Sequence, residues 1–131
     1  MPVTYVCDRE AGLIRTRCIG NVLFEDVIRH FRELESDPSL PARLDVLLDL
    51  TEMQSLPDRT KLRMVAGEVS GLKKKVEWGA WAIVASDDAL YGMIRVFEVF
   101  SEENFERSAV FRKLDEAEQW LASVRSSGES R

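Results

Sequence analysis

A chain of 131 residues, 45% hydrophobic and 31% charged, has the balance of one globular domain that buries a core without disulfides or metals. Its formal net charge is -5 and its basic residues are scattered apart from Lys73, Lys74 and Lys75, which excludes a broad cationic face for a phosphate backbone; no nucleic acid is expected as a partner. The opening Met1-Pro2-Val3-Thr4 lacks the basic and apolar stretch of a secretory signal, and no apolar run reaches the roughly twenty residues of a membrane helix, which predicts a cytoplasmic protein with no membrane span.

Val3 to Asp8 and Leu13 to Ile19 are rich in β-branched residues and flank Arg9-Glu10-Ala11-Gly12, the pattern of an opening β-hairpin. In that hairpin Cys7 falls opposite Ile14 or Arg15, which leaves Cys18 too far along the strand for a disulfide; two reduced thiols are expected. Phe24, Val27, Ile28, Phe31 and Leu34 then follow one helical face, ending near Asp37-Pro38. The nearly continuous apolar run from Leu44 to Leu50 predicts a central strand covered on both faces, followed by a polar exit over Asp49 to Asp58. Leu62, Val65, Ala66, Val69 and Leu72 restore helical spacing, with Gly67 and Gly71 implying close packing or a frayed last turn. Trp78 to Ala85 is a second buried strand; most of the aromatic residues are expected in the core, with Trp78 at the strand's start the alternative candidate for an exposed partner or ligand surface. Ser86-Asp87-Asp88 open a third helix whose apolar stripe, Leu90, Met93, Ile94, Phe97 and Phe100 widened by Val96 and Val99, is too broad for one-sided packing. A short strand over Glu106 to Phe111 and a closing helix through Ala117, Trp120, Leu121 and Val124 complete the domain at residue 124, and residues 125–131 read as a disordered tail.

The order β-β-α-β-α-β-α-β-α demands an α/β fold with a mixed, mostly parallel five-stranded sheet flanked by helices and joined by right-handed crossovers. With this order the chain resembles the SpoIIAA-like superfamily of STAS domains and stand-alone STAS/SEC14-like proteins. The resemblance covers nearly the whole chain. It rests on the hairpin with Gly20-Asn21-Val22-Leu23-Phe24-Glu25-Asp26, on Val46-Leu47-Leu48-Asp49-Leu50-Thr51, on the segment from Asp87 to Glu98, and on Val110-Phe111-Arg112 with Glu116-Ala117-Glu118-Gln119-Trp120-Leu121. The regulatory branch carries an Asp-Ser-Ser-Gly loop with a phosphorylated serine. Here the matching stretch is Leu56-Pro57-Asp58-Arg59-Thr60, so the resemblance implies the stand-alone branch and no such switch, although Ser55 and Thr60 are nearby hydroxyls.

Candidate ligand- or partner-binding residues fall in two groups. Asp49, Thr51 and Ser55 on one strand exit, with Ser86, Asp87 and Asp88 on the next, lie where parallel sheets receive ligands; the competing role is capping of the second and third helices. Tyr91, Arg95 and Glu98 share one side of the third helix, where Arg95 would receive an anionic group or pair with Glu98. The lone histidine, His30, reads as a surface residue, Cys18 as a core thiol, and Lys73-Lys74-Lys75 as a solvated helix terminus.

No catalytic constellation, metal set or cofactor motif is visible, and the leading expectation is a non-catalytic regulatory or protein-interaction domain engaging a protein partner or itself, as a homodimer through helix 87–101. The alternative is a carrier of a small apolar or lipid-like ligand, with Met53, Met64, Met93 and Phe97 as pocket-lining residues. An enzyme using Asp49, Asp87 or Asp88 as acid, base or metal ligand is a third.

Overall fold

The opening hairpin forms from β1 (Val3–Asp8) and β2 (Leu13–Gly20), paired antiparallel with Cys7 opposite Ile14 and Val3 opposite Cys18. Both cysteines are free thiols. A computed structural model describes residues 2–129 of the chain. After the hairpin come α1 (Phe24–Ser36), β3 (Arg43–Met53), α2 (Arg59–Gly71), β4 (Glu77–Val84), α3 (Asp88–Ser101), β5 (Arg107–Phe111) and α4 (Leu114–Glu129), with short 3-10 turns after α2 and α3. The molecule is an α/β fold whose sheet order matches chain order, β1-β2-β3-β4-β5, with every pair beyond the hairpin parallel.

That order decides where the helices lie. Each crossover steps one strand further in the same direction, so right-handed connections set α1, α2 and α3 side by side on one face of the sheet. Period-two alternation supplies the matching apolar face: Ile14, Thr16 and Cys18 of β2, Val46 and Leu50 of β3, and Trp81 and Ile83 of β4. The opposite face, carrying Leu47, Ala80, Ala82 and Val84, is covered by α4 through Ala117 and Leu121. Small alanines on β4 let α4 approach closely there.

The helix boundaries follow local chemistry. Asp26 accepts the Leu23 N–H at 2.9 Å at the start of α1, and Asp58 and Asp87 cap α2 and α3 by accepting from Lys61 N at 2.8 Å and Leu90 N at 3.0 Å. Gly67 and Gly71 are exposed with open space where a Cβ would stand, so close packing does not explain them; Gly71 ends α2 where it tightens into the 3-10 turn. The broad stripe of α3 is taken up inside the fold, since the helix packs against α2 on one side and against β5 on the other, and of its large apolar residues only Val99 is widely exposed. The stripe therefore gives no ground for a homodimer.

Three expectations are corrected. Trp78 is buried within β4, with its indole N–H donating to the Val69 carbonyl at 3.0 Å, because the strand starts one residue earlier than the apolar run. Lys75 is not part of a solvated terminus: its ammonium donates to the carbonyls of Leu34, Glu35 and Asp37 at 2.7, 2.9 and 2.6 Å, closing the C-terminal end of α1, which has no basic residue of its own in its last turn. Of the stretch assigned to a tail, residues 125–129 continue α4, because the Arg125 guanidinium bonds the Asp45 carboxylate and the Ala11 carbonyl in the hairpin turn; residues 130 and 131 lie outside the described residues.

Lys75→Met removes a charged donor from three carbonyls at the junction of α1 and the sheet. It is expected to lower unfolding free energy by about 2 kcal/mol, read as a lower urea midpoint at unchanged m-value.

Candidate functional site

Between the helix-covered face of the sheet, α1 and α2 lies a cavity of about 350 Å³. β2 and β3 form its floor through Thr16, Cys18, Val46 and Leu48; Val27 and Phe31 of α1 and Leu62 and Val65 of α2 form its flanks, and Ile94 and Phe97 of α3 close the far side. At the end beneath the starts of the strands, Trp81 stacks on Phe105 with centroids 4.5 Å apart, and meets Phe97 edge-on at 5.3 Å. These rings form an aromatic stop.

The other end reaches the carboxyl edge of the parallel strands, between the β2–α1 and β3–α2 loops. Leu23 and Leu56, 48% and 57% exposed, stand there with Asn21, Asp58 and Lys61, so the mouth combines exposed apolar residues with a polar rim. Ser55 ties the two loops together: its hydroxyl accepts the Val22 N–H at 2.9 Å and donates to the Val22 carbonyl at 3.1 Å. The mouth lies at the edge where parallel sheets commonly receive ligands, walled by apolar side chains rather than by strand-exit carboxylates.

Of the polar candidates at the strand exits and on α3, Ser55 alone lines the cavity. Asp49 and Thr51 are not on an exit loop, because β3 continues to Met53; alternation turns them to the face that α4 covers, where the Asp49 carboxylate accepts from Thr51 N at 2.9 Å and Thr51 Oγ1 at 2.7 Å and stands 3.9 Å from Arg17. Ser86 is exposed, Asp87 is a cap, and Asp88 pairs with Arg112, whose guanidinium lies 4.2 Å over the Tyr91 ring. Glu98 accepts from Ser108 Oγ at 2.8 Å rather than from Arg95, and Arg95 is exposed with no ion pair among the described residues. Met53 and Phe97 line the cavity, whereas Met64 is exposed and Met93 packs in the core beside it.

Two side chains in the wall were read otherwise or not at all from the sequence. His30 is not on the surface: it is 8% exposed, lines the cavity, and meets Tyr5 and Phe31 edge-on at 5.4 and 5.6 Å. Burial pulls its pKa down to about 4, which leaves the imidazole neutral near pH 7. The signal was its spacing, since Val27, His30, Phe31 and Leu34 stand at i, i+3, i+4 and i+7. Thr16, 5% exposed, faces the same space from β2. Cys18, beside it, is a buried thiol pushed up to about 12 by burial and the nearby Asp49 charge, and is chemically quiet at neutral pH.

Among the described residues no group of three or more His, Cys, Asp or Glu is disposed to hold a metal ion, and no helix is long and apolar enough to cross a membrane. Asp49, Asp87 and Asp88 are each engaged in a local bond or ion pair, so none is presented as a free acid or base at the cavity. No family model and no curated protein matches the chain.

Proposed function

We propose that this chain is a non-catalytic binding protein for one small apolar or amphiphilic molecule, received in the cavity between the sheet, α1 and α2. The observation that carries the reading is the size and wall of that space: about 350 Å³, lined chiefly by aliphatic and aromatic side chains, stopped at one end by Trp81 and Phe105 and reaching the surface at Leu23 and Leu56. This volume falls in the range of small-molecule sites, which begins at about 300 Å³. Water alone fills such a space poorly, because the wall offers it few hydrogen bonds.

We also propose that the chain is a stand-alone member of the SpoIIAA-like group. Support comes from the sheet order that follows chain order and from three helices ranged on one face. A likeness to SEC14-like lipid carriers favours the same kind of ligand.

The test is titration with the neutral apolar fluorophore N-phenyl-1-naphthylamine. Wild-type protein is expected to give a saturable enhancement at one site, and Val65→Trp, which pushes an indole into the space from α2, is expected to weaken binding by about tenfold or more while far-ultraviolet circular dichroism is unchanged. An absence of saturable binding, or equal binding by the folded variant, would overturn the reading.

A further inference from the structure

Resting on the cavity reading above, we infer that its ligand carries a neutral hydrogen-bonding group, a hydroxyl or a carbonyl, set against Thr16 and His30 in the middle of an otherwise apolar body. Both side chains line the cavity, both are more than nine-tenths buried, and for neither is there a hydrogen-bond partner among the described residues. Their polar atoms are not sealed off, since Ser101 Oγ alone among the described residues is a buried side-chain oxygen or nitrogen without a partner; both therefore open onto the cavity. Two polar side chains facing one space are the polar half of a recognition site.

Their placement narrows the chemistry. Tyr5 sits directly opposite Thr16 in the β1–β2 register and contacts His30 edge-on with ring centroids 5.4 Å apart, so both groups flank the same tyrosine. Tyr5 makes no hydrogen bond to either one among the described residues; its hydroxyl turns away to donate to Asp37 at 2.7 Å. Along β2, Thr16 lies between Ile14 toward the closed end and Cys18 toward the mouth; along α1, His30 lies between Leu34 and Val27 in the same way. The polar contact is therefore midway along the cavity with apolar wall on both sides. An ammonium or a strong acid would be stripped of water there without an opposite charge, since among the described residues the charged lining side chains, Asp58 and Lys61, stand at the mouth. A hydroxyl both donates and accepts, and so can serve the threonine hydroxyl and one imidazole nitrogen together. A carbonyl accepts from both.

This gives a discrimination that shape alone does not. Sites built to hydrogen-bond a ligand group reject the analogue lacking it, because their own buried polar atoms are then left unpaired. The probes are 2-naphthol and 2-methylnaphthalene, which differ by a hydroxyl and a methyl group of similar size. Calorimetric or fluorescence titration of the wild-type chain is expected to show about tenfold tighter binding of 2-naphthol. In Thr16→Val, and separately in His30→Phe, that preference is expected to shrink to about twofold or less.

The outcomes separate this inference from the reading beneath it. If 2-methylnaphthalene binds as tightly as 2-naphthol to wild type, or if the hydroxyl preference survives in both variants, the polar-anchor inference is overturned while the cavity stands, ordered water then being what serves the two side chains. If neither probe binds, the cavity reading falls, and this inference with it. Two variants on different elements guard against one simply failing to fold, and Thr16→Val is the less disruptive because it keeps the shape and the β-branch.

Discussion

Substitution of Asp45 by alanine is expected to lower unfolding free energy by about 3 kcal/mol, measured as a fall in the urea midpoint. The carboxylate is 4% exposed and accepts the buried Ala80 N–H at 2.7 Å, while Arg43 and Arg125 reach it from β3 and α4. Removing it strands a backbone donor of a central strand and leaves two guanidinium groups without their shared acceptor. The arginines are partly solvated, which keeps the loss nearer 3 than 5 kcal/mol. The strands yield to this side chain: the β3–β4 register shifts between Leu44 and Val46, and a Cβ at Gly79 would overlap the Asp45 carboxylate and come within 2.6 Å of Arg43. Gly79→Ala is therefore also destabilising. In the double variant with Asp45→Ala the losses should fall short of their sum by about 1 kcal/mol or more, since the overlap disappears with the carboxylate. Strict additivity would mean that some other contact requires the glycine.

Acidification is expected to destabilise the fold through His30. In the unfolded chain its imidazole titrates near the ordinary 6.5, whereas in the folded chain burial holds it near 4. Between those values the unfolded state binds more protons, so stability rises with pH there; the contribution is complete above about pH 6.5 and is lost as pH falls toward 4. That separation, at about 1.4 kcal/mol per pH unit, sets a limit of about 3 kcal/mol, most of which is lost by pH 4.5. His30→Phe has no imidazole to charge. Urea unfolding of both proteins at about pH 7.5 and about pH 4.5 should show wild type losing about 2 kcal/mol more than the variant, and carboxylate titrations common to both cancel in the difference. Equal losses would mean that the imidazole is hydrated well enough in the folded state to protonate freely.

The order and type of every strand and α-helix were legible because each carries its own periodicity: alternation in β2, a wide stripe in α3, an apolar run in β3. Boundaries moved where polar residues belong to an element. Asp49 and Thr51 read as a loop, yet β3 continues through them because they bond each other and sit near Arg17 on the face beside α4. That a polar side chain caps α2 and α3 was readable from residue type and position, but not that Asp58 rather than Ser55, and Asp87 rather than Ser86, would do it. The cavity was not, because periodicity reports which side chains turn inward and not whether α1 and α2 stand close enough to meet over the sheet. His30 was legible in spacing and obscured by residue type: histidine between Val27 and Phe31 occupies an inward position, and a lone imidazole with no nucleophile or second ligand placed beside it reads as a residue of the outer half of the helix. Lys75 and Arg125 act over 38 and 80 residues of sequence, onto Asp37 and Asp45, and nothing local announces such a partner.

A sheet whose strands add in chain order can grow as the polypeptide leaves the ribosome, each new β–α unit docking on the edge of what is already formed. No strand waits for a later one to be inserted beside it. The opposite face has no such early cover, for Leu47, Ala82 and Val84 remain bare until α4, which follows every strand, swings across them and Arg125 reaches back to the hairpin turn. The nascent chain is thus most open to unwanted association in the interval between the pairing of β5 and the arrival of α4, and that is the stage at which a chaperone would have something to hold.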